Sequence, residues 1–177
     1  MGPERLPLSI RWPERFRPDR VPVHVRNEIE IEAPPEIPWS WLVRAAQWPD
    51  WYPNSADVVI ERGGPNLSPG SRFRWRTFGV GLTSRVEDFE RPSRLAWNAR
   101  GTGVDVYHAW LITPSPAGCH VLTEESQFGA LARIDHALRP ARMQKWHQVW
   151  LENLRARSRT GAPPQTIELR ASPSFQL

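Results

Sequence analysis

Polar and apolar residues alternate through Val23–Glu32, with Val23, Val25, Asn27, Ile29 and Ile31 on one side and His24, Arg26, Glu28, Glu30 and Glu32 on the other. A period of two marks a half-buried strand. The pattern returns in Ser71–Phe78, where Phe73, Trp75 and Thr77 alternate with Arg72, Arg74 and Arg76. Ala56–Arg62, Leu82–Glu90, Arg94–Arg100, Val104–Thr113 and His120–Phe128 are further strand segments. The stretches between them are short and rich in turn residues: Gly63–Gly70, Gly79–Gly81, Pro92-Ser93, Gly101–Gly103 and Pro114–Gly118. Strands joined in this way predict an antiparallel meander.

The period then changes. In Ala130–Arg157 the residues Leu131, Ile134, Leu138, Met143, Trp146, Val149, Trp150 and Leu154 recur mostly every three or four positions, which predicts a helix with one apolar face. Gly129 and Gly161 bracket it. Pro140 lacks a backbone donor and predicts a break near Leu138–Pro140, leaving Ala141–Arg157 as the firm helix and Leu131–Arg139 as a candidate gate. A shorter helix is expected over Ile37–Ala46, burying Trp41, Leu42 and Ala45. After it comes the cluster Gln47–Asn54, in which Asp50 is a candidate cap for a helical turn. A helix carrying two tryptophans on one face needs a broad apolar surface, and the strands supply one. The expected class is α+β: a curved antiparallel sheet of about seven strands wrapped around a long C-terminal helix, in the order β-α-α-β6-α.

Composition sharpens the boundaries. The chain has 177 residues, enough for one domain with a full core, and 19 prolines crowded towards its ends. Residues 1–22 read as a Pro/Arg-rich arm, partly packed through Trp12 and Phe16; residues 23–158 read as the folded domain; residues 159–177 read as a flexible tail in which Thr166–Arg170 is a candidate for brief pairing. The formal charge is +4, almost all of it from arginine, since Lys145 is the single lysine. Acidic residues are interspersed throughout, which argues against nucleic acid as a partner. Cys119 is alone, so no disulfide framework or cysteine-rich metal cluster is spelled out. No secretory signal and no stretch of about 18 apolar residues is seen, so a cytoplasmic location without a membrane span is expected. Oligomeric state is not legible.

The motifs of several enzyme classes are missing. There is no His-Glu-x-x-His, no Cys-x-x-Cys and no Gly-x-Ser-x-Gly, and neither Gly79-Val-Gly81 nor Gly101-Thr-Gly103 completes a phosphate cradle. No histidine spacing spells a metal site, and no cofactor is implied. Strand parity instead gives a candidate lining. Trp75 shares a face with Phe73, Trp97 with Leu95 and Ala99, and His108 with Val106, Trp110 and Ile112. His108 is a candidate proton-transfer group if its pKa lies near neutrality, or else a core histidine bonded to a neighbour. Glu124 and Glu125 are adjacent and point to opposite faces. Either is the inward one by sequence. A buried carboxylate there needs a partner such as His108 or an arginine.

Words along the chain add a resemblance. Trp48-Pro-Asp-Trp-Tyr-Pro-Asn54, Leu67-Ser-Pro-Gly-Ser-Arg-Phe-Arg-Trp75, Arg94-Leu-Ala-Trp97, His108-Ala-Trp110, Thr123-Glu-Glu125 through Gly129, and Trp146 with Leu151–Leu154 fall in the order of the SRPBCC superfamily, also called START-like. The polyketide cyclase/dehydrase-like group is the most similar. The resemblance spans about Val23 to Arg159 and implies a helix-grip fold with a cavity between sheet and closing helix. It also favours Glu125 as the inward carboxylate. The implied ligand is an apolar or aromatic small molecule, lipid- or polyketide-like, touching Trp51, Phe73, Trp75, Trp97, His108, Trp110, Glu125, Trp146 and Trp150. Two alternatives stand beside simple binding: a cyclase/aromatase-like enzyme using His108 and Glu125 as candidate catalytic groups, and a co-chaperone-like interaction protein using the arginine face or the arm.

Overall fold

The computed structural model describes residues 8–62 and 64–164. Most of the expected C-terminal tail, including Thr166–Arg170, lies outside the described residues. Seven strands form one antiparallel sheet: β1 (Val23–Ile31), β2 (Ala56–Arg62), β3 (Arg72–Thr77), β4 (Val80–Glu90), β5 (Arg94–Gly101), β6 (Val104–Ser115) and β7 (Gly118–Phe128). Their order across the sheet is β1-β7-β6-β5-β4-β3-β2, so the first two strands in sequence lie at opposite edges. The chain crosses between those edges through α1 (Glu36–Leu42) and a 3-10 turn over Ala45–Asp50. The helix expected over Ile37–Ala46 is therefore two pieces, and Asp50 closes the second piece rather than capping its start. After β7 come α2 (Ala130–Leu138) and α3 (Arg142–Arg159), parted at Arg139–Ala141 around Pro140. This is the helix-grip fold.

Alternation explains which face each strand buries. Phe73 and Trp75 are buried while Arg72, Arg74 and Arg76 are exposed; Arg74 pairs with Glu61 and Arg76 with Asp57. The turn between β3 and β4 uses Phe78 at φ 52° and Gly79 at φ 80°, both left-handed, as a tight hairpin demands. Gly81, expected within that turn, already lies in β4.

In β5 and β6 the alternation gives way to continuous apolar runs, because both faces are covered. Leu95, Trp97, Ala99, Val106, Trp110 and Ile112 face the main core. On the opposite face Ala96, Tyr107 and Ala109 pack with Phe16 of the N-terminal arm, alongside Ile10, Trp12 and Val21. Arg11 ties the arm down through Asp88 and Glu90, Arg15 pairs with Asp105, and buried Arg94 donates to the carbonyl of Ser9. The described part of the arm is thus a strap across the outer sheet face, built from two single 3-10 turns.

The final helices divide the work unequally. α3 buries Met143, His147, Trp150, Leu151, Leu154 and Ser158 against the sheet. α2 buries only Ala132. Its apolar stripe, expected to face the core, turns outward along its length: Ile134 is 56% and Leu138 73% exposed, and only Leu131, at 39%, reaches the space beneath the helix. The amphipathic period fixes that the residues share a face, not that a partner surface meets it. At Gly129 the chain turns from β7 into α2 with φ 117°, and a Cβ there would collide with the carbonyl oxygen of Gly103. Only glycine fits so close an approach.

Candidate functional site

Three adjacent strands set three side chains in a row. Trp97 on β5 pairs with His108 on β6, and His108 pairs with Glu125 on β7. Facing residues of antiparallel strands point to the same side of the sheet, so all three project into the core. The carboxylate is thus Glu125. Glu124 lies on the outer face, 3.1 Å from His24 and 3.9 Å from Arg26.

Glu125 is surrounded by nitrogen. Nδ1 of His108 lies 3.0 Å and Nε2 of His147 3.3 Å from Oε2, while Gln127 donates to Oε1 and also contacts Sδ of Met143 at 3.1 Å. The His108 contact is close but out of line for a hydrogen bond. Nδ1 of His108 and Nε2 of His147 are thus the two ring nitrogens that face the carboxylate. The other nitrogen of His108, Nε2, is 2.8 Å from the hydroxyl oxygen of Thr123, which itself donates to the carbonyl of Ala109 at 3.3 Å. Burial works against the charge on Glu125, but His108 and His147 outweigh it and hold the carboxyl well below the usual carboxylate range. Burial also pushes His108 below its ordinary value, against the pull of Glu125. The arrangement is an ionised carboxylate buried beside two imidazoles.

His147 is the functional residue that the sequence reading did not place. Its spacing held the signal: Met143, His147, Trp150 and Leu154 follow at four, three and four, one face of α3. His108, Glu125 and His147 offer ligand atoms within 4.8 Å of one another, so a metal has to be considered. The two imidazoles are stacked, with planes 12° apart and centroids 4.9 Å apart. Lone pairs in nearly parallel, offset planes do not converge on one ion. Zinc sites hold nitrogen at about 2.0–2.1 Å along the ring plane. The cluster therefore suits a carboxylate held by nitrogen donors better than a chelate.

Beside this cluster, between the sheet and the C-terminal helices, lies a cavity of about 140 Å³. Its inner wall holds the buried Trp75, Trp97, Ala99, Val106 and Glu125. Its outer end holds Phe78, Leu131, Asp135, Arg139 and Arg142. There Asp135 bridges Arg139 at 2.6 Å and Arg142 at 2.7 Å, pinning α2 to the start of α3. Arg142 also lies over the ring of Phe78.

Of the residues expected to touch a ligand, Trp75, Trp97 and Glu125 stand in this wall. Phe73, His108, Trp110 and Trp150 are packed behind it. Trp150 stacks on Tyr52 at 4.2 Å and meets Trp48, Trp110 and His108 edge-on at 5.1–5.4 Å. Trp51 is buried and accepts a bond from Asn153 at its carbonyl; Trp146 is half-buried beside Tyr52. Ten tryptophans exceed what a small cavity can display, and here most of them build the core around it. His136 is half-buried on α2 and is not part of the wall.

A curved sheet closed by a helix over an apolar cavity defines the helix-grip class of ligand-holding and cyclase-like proteins. Residues 22–159 match the family model described as polyketide cyclase / dehydrase and lipid transport, and the chain belongs to that family. Among solved structures it is similar to the hypothetical protein jhp0584 from Helicobacter pylori, at 30% identity and TM-score 0.78 over 86% of this chain and 98% of that one. It also shares its fold with the Zhui aromatase/cyclase from Streptomyces sp. R1128 (17% identity, TM-score 0.65, 80% and 99% covered). TTHA0849 from Thermus thermophilus has the same fold (20% identity, TM-score 0.63, 80% and 100% covered). Comparison with curated proteins gives no match. Among the described residues no helix is long and apolar enough to cross a membrane.

Proposed function

We propose that this protein binds an apolar or aromatic small molecule in the cavity between its sheet and its C-terminal helices. The observation that supports this most is the cavity itself. Protein interiors are packed to crystal-like density and leave few voids larger than a water molecule. A void of about 140 Å³, with indoles, aliphatics and Glu125 at its inner wall and the Asp135, Arg139 and Arg142 cluster at its outer end, has the make-up of a small-molecule site.

Size narrows the ligand. An apolar cavity of about 150 Å³ holds one benzene ring. A single-ring molecule fits a cavity of this volume, whereas a multi-ring polyketide or a long acyl chain would extend through its outer end or displace α2. The test is native mass spectrometry of the purified protein, followed by titration of its tryptophan fluorescence with single-ring compounds. A bound mass or saturable quenching is the expected result; the absence of both overturns the proposal.

The family and the aromatase/cyclase fold of its structural neighbours favour a second reading, a cyclase-like enzyme. His108 is 1% exposed, sits behind the wall and touches Glu125 rather than the cavity. In that reading Glu125 is the group that meets substrate, and His108 positions it. The interaction-protein reading draws less support, because the described arm is engaged on the sheet's own outer face.

A further inference from the structure

Resting on the binding reading above, we infer that the ligand carries a hydroxyl group that donates a hydrogen bond to Glu125 at the inner end of the cavity.

The inference starts from an imbalance in the wall. A carboxylate is 7% exposed there among indoles and aliphatics, and burying a charge is costly unless donors meet it. On the protein side Gln127 donates to Oε1, and the two imidazoles lie close to Oε2. A carboxylate has about four acceptor positions, so these leave capacity for a further donor. The cavity is where such a donor would come from.

The chemistry of the wall then selects among donors. An anionic head would place a second negative charge against Glu125. An ammonium brings three N–H groups, of which a single carboxylate satisfies few; the aliphatic Ala99 and Val106 offer no acceptor for the rest. A hydroxyl brings one donor and needs one acceptor. Its oxygen also accepts, and the same wall holds an N–H donor. The indole N–H of Trp97 is buried without a partner among the described residues, two strands from Glu125 in the row through His108. The indole N–H groups of Trp51, Trp110 and Trp150 are likewise without a partner among the described residues, and Trp97 is the one of these four that lines the cavity. An apolar ring of about benzene size bearing one hydroxyl satisfies the volume and the carboxylate together.

The experiment is calorimetric titration of the full chain at neutral pH with phenol, toluene, benzylamine and benzoate. Phenol and toluene have nearly the same shape, so their ratio reads the hydroxyl. A hydrogen bond to a charged group predicts that phenol binds about tenfold or more tighter than toluene, with benzylamine and benzoate weaker than phenol. In Glu125→Gln, checked for folding by circular dichroism, the phenol preference falls to within about threefold while toluene binding persists. Equal binding of phenol and toluene, or a preference that survives Glu125→Gln, overturns the inference and leaves the cavity reading intact. Tighter binding of benzylamine than phenol overturns it in favour of a cationic ligand. If no member of the panel binds, the cavity reading fails and the inference with it. Should Glu125→Gln not fold, the wild-type ranking decides alone.

Discussion

Nδ1 of His108 lies 3.0 Å from Oε2 of Glu125, and the two residues are directly opposed on neighbouring strands β6 and β7. Both side chains are buried, so this polar pair sits within a core rich in tryptophan. Removing the His108 ring leaves Glu125 with Gln127 and His147 but opens a void against Trp97 and Trp150, at a cost of about 2–5 kcal/mol. His108→Ala is expected to destabilise the protein by that amount in urea unfolding. A loss below about 1 kcal/mol would show that the contact matters little to stability.

The same pair sets the pH dependence. Burial lowers the pKa of His108 in the folded protein, so below its ordinary value of 6.5 the unfolded chain takes up a proton that the folded protein refuses. Its contribution is complete above that value and is lost as pH falls through it. Glu125 acts in the same direction at lower pH. Its folded pKa is held below the ordinary 4.5, so its contribution is present above 4.5 and is lost as pH falls further. The urea midpoint is therefore expected to decline from pH 7 to 5 and more steeply below 4.5. A midpoint flat from pH 7 to 4 contradicts this account of the cluster.

Much of the fold was legible in the sequence because strand alternation is a local signal. Val23–Ile31 and Arg72–Thr77 bury the faces that their patterns predict, and Pro140 parts the last helices where its missing donor requires. The inward side of Glu125 was not decided by alternation alone, because Leu122 and Phe128 flank it as well as Val121 and Thr123. The convergence of His108, Glu125 and His147 was less legible still. It depends on how α3 is rotated over β6 and β7, a relation between residues far apart in the chain. The outward stripe of α2 was misread for a related reason: periodicity reports a common face but not its neighbour.

That outward stripe makes α2 the weakest part of the cavity wall. It buries Ala132 alone, and the ion pairs of Asp135 hold it at its C-terminal end. Elements with little buried apolar contact open first. Amide hydrogen exchange is expected to be faster across residues 130–138 than across 142–159, and to slow in 130–138 when the cavity is filled. Equal, slow exchange on both sides of Pro140 would rule out α2 as a gate.

Trp150 is the keystone of the aromatic core behind the wall, in ring contact with Tyr52, Trp48, Trp110 and His108. Trp150→Ala leaves a large void among rings that cannot collapse into it, and a loss of about 3–5 kcal/mol is expected from denaturant unfolding. A loss near 1 kcal/mol would mean that the core relaxes around the gap.

The measurement that bears most directly on ligand binding is a titration with toluene, followed by NMR in the wild type and in Ala99→Phe. Ala99 is 1% exposed and stands in the inner wall, so a phenyl ring there occupies the space of a single-ring ligand. The predicted result is saturable one-to-one binding that shifts the indole signals of Trp75 and Trp97 in the wild type, and its loss in a folded Ala99→Phe variant. Shifts that fail to saturate, or saturable binding unchanged by Ala99→Phe, would contradict a ligand cavity at this position.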